Sequence, residues 1–204
     1  MTEPSLARNV STEASQRTLA SDTGGDHPMD PRTVGAYLDA LRRVFVIEDV
    51  PAWSVELRSR AHLRRAAKRH LADPSLAVAA LNGDPQRLWG DLSAFGLLFE
   101  SMAVRDLRVY AQAARGRIAH YRDSSGLEVD AIIERGDGAW IALEIKLGGD
   151  TAINSAARSL LKLRDTVQQR HAGAPANLVV VTATGYGYRR DDGVLVVPLT
   201  ALGP

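Results

Sequence analysis

Three short apolar runs, joined by turns too tight to hold a helix, constrain this chain more than any other feature. The runs cover residues 117–122, 127–134 and 140–147, and Asp123-Ser124-Ser125-Gly126 and Gly136-Asp137-Gly138 separate them. Turn residues of these types supply positive φ or hydrogen-bond their own backbone. Consecutive strands therefore reverse direction, and the expectation is a three-stranded antiparallel meander. A long apolar helix over 88–113 precedes it. A helix over 152–170, capped by Asp150 or Thr151, follows, and then strands at Asn177–Thr182 and 194–198. That order predicts an α/β module whose mixed sheet is flanked by helices.

In the third run, side chains alternate between the two faces of a strand. Ile141, Leu143 and Ile145 point one way, toward an expected core; Trp140, Ala142, Glu144 and Lys146 point the other. Asp130 lies in the second run, and the hairpin turn falls about midway between it and the 144–146 segment. Asp130 is thereby brought beside Glu144 and Lys146. Two carboxylates meeting in this way offer a hard-oxygen site for Mg²⁺ or Mn²⁺. A lysine next to them can position or activate a water and stabilise charge on a phosphate. The bland alternative is a salt-bridge ladder on a solvent-facing strand. Glu100 adds a third acid, in a helix that also carries Leu92, Phe95, Leu97, Leu98, Phe99, Met102, Val104 and Leu107. A carboxylate in such a helix is costly unless it is paired or metal-bound. Glu100 is thus expected as a metal or supporting ligand, or as the ion-pair partner of Lys146.

The first 55 residues read as a small helical unit. Ser11 is the expected cap of a helix over 12–20, which the segment 21–28 breaks. Asp30 caps a clearer helix with Pro31 at its first position and an apolar stripe of Val34, Tyr37, Leu38 and Leu41. Val44-Phe45-Val46-Ile47 then reads as a strand. Two helices and a strand are the pattern of a winged helix-turn-helix. Its exposed Arg32, Thr33, Arg42 and Arg43 are candidate DNA contacts; packing against a neighbour is the alternative. Residues 56–84 form a connector that ends in a short helix and turn. Arg58, Arg60, Arg64, Arg65, Lys68 and Arg69, with His62 and His70, fall within it. This run is either a nucleic-acid footprint or a solvated helix face. Arg122, beside His120 and Tyr121, is a candidate phosphate clamp.

Composition narrows the classes. Twenty-five basic against 24 acidic side chains leave a net charge of +1, so binding to DNA or RNA must come from local clusters. The chain has no cysteine, which excludes disulfides, zinc–thiolate sites and cysteine nucleophiles. No apolar run reaches the length of a membrane span. The N-terminal segment has an early acid and no apolar core, so it does not read as a signal peptide, and a cytoplasmic location is the default. No GxxxxGK[ST] phosphate loop occurs, so no ATP site is expected in this chain.

Phe99-Glu100, Tyr121-Arg122, Glu128-Val129-Asp130 and Glu144-Ile145-Lys146, in an αβββαβ order, resemble the PD-(D/E)xK nuclease-like superfamily. More narrowly, the chain resembles the C-terminal domain of unknown function of prokaryotic AAA+ family ATPases, which a winged-helix segment precedes. Gly185-Tyr186 and the stretch from Asp192-Gly193-Val194 to Pro198 extend the likeness. Val129 stands where the superfamily name implies proline. The resemblance implies a winged-helix-like unit over 1–55, a basic connector over 56–84 and a nuclease-like domain over 85–204. It also implies that Asp130 and Glu144 hold a metal with the Ile145 carbonyl, that Lys146 acts on the attacking water, and that Glu100 is the helix acid. The function so implied is Mg²⁺-dependent cleavage of nucleic-acid phosphodiesters. The ATPase module expected upstream is absent from this sequence. The alternatives are a non-catalytic regulatory or interaction module, related to or truncated from an ATPase and partnered by an ATPase or another protein, and a winged-helix DNA-binding protein.

Overall fold

The computed structural model describes residues 3–22, 29–54, 66–169 and 173–203. Packing divides the chain into two units, residues 1–50 with 66–102 and residues 51–65 with 103–204. These limits differ from the contiguous segments expected from the sequence, because one stretch of the early chain packs with the sheet.

In the first unit, α1 (Glu3–Arg8), α2 (Gln16–Asp22) and α3 (Pro31–Arg43) precede β1 (Ile47–Val50) and β2 (Lys68–Leu71), which pair antiparallel. Then come α4 (Ser75–Ala80), α5 (Pro85–Gly90) and the start of α6 (Leu92–Ala113). Helix α3 forms as expected: the Arg32 amide donates to the Asp30 carboxylate at 2.7 Å, and Pro31 leads the first turn. Its Val34 and Leu38 bury against Leu6, Leu19, Ile47, Leu71 and Leu98. Three expectations are corrected. Ser11 does not cap a helix; it has φ 58° and its hydroxyl donates to the Leu97 carbonyl. Ser15 accepts from the Thr18 amide instead and starts α2 four residues later. The run 44–47 is not a strand, because the chain turns at Phe45 (φ 57°) and leaves Val44 and Phe45 exposed, so β1 begins only at Ile47. The single helix expected over 88–113 is broken at Asp91, whose carboxylate accepts from the Ala94 amide and opens α6 afresh.

The second unit is a mixed six-stranded sheet in the order β3-β4-β5-β6-β8-β7. β3 (Gly116–Arg122), β4 (Glu128–Arg135) and β5 (Trp140–Lys146) form the expected meander. Helix α7 (Asp150–Gln169) returns the chain so that β6 (Asn177–Thr182) pairs parallel to β5, and β8 (Leu195–Pro198) pairs parallel to β6. A two-residue edge strand, β7 (Tyr188–Arg189), was too short to read from sequence and pairs antiparallel with β8. Trp140, Ala142, Ile132 and Val180 pack with Ala156, Leu160 and Leu163 of α7. Leu143 and Ile145, on the other side of β5, are buried too. Both faces of the sheet are therefore covered, in keeping with the helix-flanked mixed sheet expected from the sequence.

Between the pairs Ala119–Ile132 and Tyr121–Val129, β4 carries one more residue than β3, a bulge at Asp130–Ala131 that leaves His120, opposite it, outside the β3–β4 ladder. Its backbone turns outward instead: the His120 amide donates to the Pro51 carbonyl at 2.9 Å, and the Trp53 amide donates to the His120 carbonyl. Trp53 then stacks 4.9 Å from Trp140, and its indole nitrogen donates to Glu134. Among the described residues no helix is long and apolar enough to cross a membrane.

Candidate active site

The antiparallel ladder between β4 and β5 runs from Glu134–Trp140 to Ala131–Leu143 and stops there. At the next position the Asp130 side chain takes over. Its Oδ2 accepts from the Ile145 amide at 2.8 Å and from Lys146 Nζ at 3.0 Å. Lys146 Nζ also lies 2.6 Å from Glu144 Oε2. One ammonium thus joins two carboxylates, and those carboxylates are only 7% and 5% exposed. Ala142 packs on the face that α7 covers, so alternation along β5 puts Glu144 and Lys146 on that face, and the Lys146 ammonium ties Asp130, at the β4 bulge, to them. Val180 stands beside Glu144 and Thr182 beside Lys146 in the parallel register with β6. Thr182 is buried, and sequence reasoning missed it because a parallel register leaves no local signature. Gly148 and Gly149 both have positive φ and swing the chain from β5 into α7 directly after the site.

Burial, and then the neighbouring Asp130 carboxylate, push the Glu144 pKa up to about 8 against the opposing pull of Lys146. Burial also works against the Lys146 ammonium, but Asp130 and Glu144 outweigh it and hold its pKa above the ordinary value. At neutral pH, Lys146 is a charged donor and Glu144 carries a proton. A carboxyl whose folded pKa exceeds its unfolded one adds stability at low pH that is lost as pH rises through the folded value. The second unit is therefore expected to lose on the order of a few kcal/mol between pH 5 and 9. Urea denaturation across that range measures the slope, and Glu144→Gln should remove it; an unchanged slope in the variant would place the titration elsewhere.

Other expected site residues have partners within the first unit. Glu100 Oε1 accepts from Lys68 Nζ at 3.1 Å, with both side chains buried in the first unit. This corrects two readings. Lys146 is engaged by Asp130 and Glu144, so the cation that answers Glu100 is Lys68. Lys68, at 3% exposure in β2, is an internal ion-pair partner and not a surface contact for phosphate. Arg42 is held by Asp39 and Asp49, both at 2.7 Å, and Arg43 donates to the Asp39 carbonyl. Arg122 is exposed at the end of β3, opposite Glu128. Arg58, Arg60, Arg64, Arg65 and His62 lie outside the described residues.

Asp130 and Glu144 fit a hard divalent cation by donor type. Mg²⁺ commonly takes one or two carboxylates and completes its shell with water and substrate oxygens. The like-charge repulsion that raises Glu144 is what a dication relieves. Among the described residues no group of three His, Asp or Glu side chains is placed to hold a metal. Among the described residues, Asp130 and Glu144 are thus the carboxylates offered to an ion.

A mixed sheet with two buried carboxylates and a lysine clustered on its central strands defines an α/β domain with one ionisable site. This chain belongs to the family described as "Domain of unknown function (DUF4143)", which matches residues 95–202. A second family, "Domain of unknown function (DUF8612)", matches residues 4–87. Among solved structures, the chain is similar to one in a "refined half-complex from tetradecameric assembly of Thermococcus gammatolerans McrB AAA+ hexamers with bound McrC". That likeness has 12% identity and a TM-score of 0.35, over 88% of this chain and 65% of the other. No curated protein matches.

Proposed function

We propose that the second unit is a metal-dependent phosphodiesterase of the PD-(D/E)xK type acting on nucleic acid. The observation that supports this is the break in the β4–β5 ladder. Asp130 gives up strand pairing to meet Glu144 and Lys146 in a buried cluster, a costly arrangement for a structural role alone. Asp130 and Glu144 are the residues to hold Mg²⁺ or Mn²⁺. The bound ion supplies Lewis acidity at a phosphoryl oxygen and a lowered pKa for its water. Lys146, kept charged by its neighbours, orients the attacking water and answers charge developing on the phosphate. The Ile145 amide fixes Asp130 in place.

Calorimetric titration of Mn²⁺ and Mg²⁺ tests the site. Wild type is expected to bind, with tighter binding as pH rises through 8 because Glu144 must shed its proton. Asp130→Asn, which keeps an acceptor for the Ile145 amide, is expected to show no binding heat. Absence of binding in wild type at millimolar metal would sink the proposal. One observation favours a second reading, a non-catalytic module held by a protein partner such as an AAA+ ATPase: the Lys146 ammonium already bridges both carboxylates. That reading predicts no metal heat and no hydrolysis by either protein. The DNA-binding reading of α3 is weakened by the engagement of Arg42 with two aspartates.

A further inference from the structure

Tyr186 and Tyr188 belong to no role described so far, and the sheet register relates them to the acid cluster. Residues paired across strands share a face. Glu144 pairs with Val180, Val180 with Val196, and Val196 with Tyr188. Tyr188 therefore stands on the same face and at the same level as Glu144. In the next row Lys146 pairs with Thr182 and Thr182 with Pro198. Continuing the β7–β8 register carries Tyr186 to the level of Pro198, and a Cβ built on the intervening Gly187 would lie 4.0 Å from Pro198 Cδ. Three strand spacings of ~4.8 Å separate the tyrosines from β5, about 14 Å in all. Val180 and Val196, between Glu144 and Tyr188, are buried under α7, so a single nucleic-acid strand would span that distance in a few nucleotides along the Lys146 row at the end of the sheet.

The local chemistry suits stacking. Tyr186 is 90% exposed and Tyr188 48%. Glycines flank Tyr186, and Gly185 has φ +114°, so neighbouring side chains do not crowd the ring. Arg189 is exposed, whereas Arg190 is tied to Asp192 and to Asn154 of α7. Asp191 and Asp192 follow in the turn, so the patch is not a strong attractor of phosphate. With a net charge of +1 on the chain, base stacking must supply much of the binding, and stacking requires unpaired bases. A duplex offers none on its flank.

We infer that Tyr186 and Tyr188 form a stacking platform that holds single-stranded nucleic acid on the rim of the Asp130–Glu144–Lys146 site. The inference rests on the phosphodiesterase reading for what the strand is presented to, but its test does not depend on cleavage. The measurement is fluorescence anisotropy of dye-labelled oligothymidine and oligouridine, about 12 nucleotides long, in EDTA. Tyr186→Ala is expected to weaken binding about 5- to 100-fold, and Tyr188→Ala in the same direction. Tyr186→Phe should stay within about twofold of wild type, since the ring and not the hydroxyl stacks. Unlabelled duplex should compete poorly. Equal affinity of the alanine variants and wild type overturns the platform, as does equal loss in the phenylalanine variant, efficient competition by duplex, or no binding by wild type at ~100 µM. Tyrosine-dependent binding without metal-dependent cleavage leaves the platform standing and removes the nuclease reading. Cleavage with tyrosine-independent binding does the reverse.

Discussion

Lys68→Ala is expected to lower the stability of the first unit by about 3–5 kcal/mol, measured by urea denaturation at neutral pH. The substitution takes from the buried Glu100 carboxylate the ammonium that lies 3.1 Å away. Breaking a buried pair by removing one partner costs far more than the pair's net worth, because the remaining charge keeps its desolvation penalty and loses that attraction. Replacing both members by apolar residues of similar size removes that charge, so Lys68→Met with Glu100→Leu should recover much of the loss. A Lys68→Ala protein within about 0.5 kcal/mol of wild type would show that the pair is not buried as described.

Lys146→Met should have the largest effect on activity. It removes the ammonium that bridges Asp130 and Glu144, and metal-dependent cleavage is expected to fall by about 10²- to 10³-fold. Its effect on stability should depend on pH. Two facing carboxylates can retain one proton between them when pH is low, and both must ionise when it is high. The destabilisation is therefore small near pH 5 and grows to several kcal/mol above pH 8. Adding Glu144→Gln should restore stability at high pH without restoring cleavage. Cleavage by Lys146→Met within tenfold of wild type would remove Lys146 from the mechanism.

The meander, α3 and the juxtaposition of Asp130 with Glu144 and Lys146 were legible because each rests on local signals. Period-two alternation, turn residues and an Asp-Pro helix start all act within a few positions. The features that were not legible depend on partners far along the chain. Lys68 looked like part of a solvated basic run, and only its antiparallel partner Val50 and the distant Glu100 reveal it as internal. Ser11 looked like a helix cap because its bond to the Leu97 carbonyl spans 86 residues. The start of β1 slipped by three residues because an apolar run carries no mark of a turn at Phe45. Tyr188 falls outside the strands legible in the sequence, and only the pairing of β7 with β8 sets it in the row of Glu144.

The manner in which Pro51, Ala52 and Trp53 complete the sheet bears on how such a chain can arise. The two family segments meet between residues 87 and 95, yet Trp53, from within the first, seals Trp140 and Tyr121 of the second, and its amide donates to the carbonyl of His120. The segments are interlaced and not strung end to end. A gene fusion or exchange with its breakpoint at the segment border would strip β3 of its covering strand and leave two aromatic rings bare. Recombination that keeps the second segment working must carry these three residues along or supply their equivalent, so the two segments are expected to be inherited together.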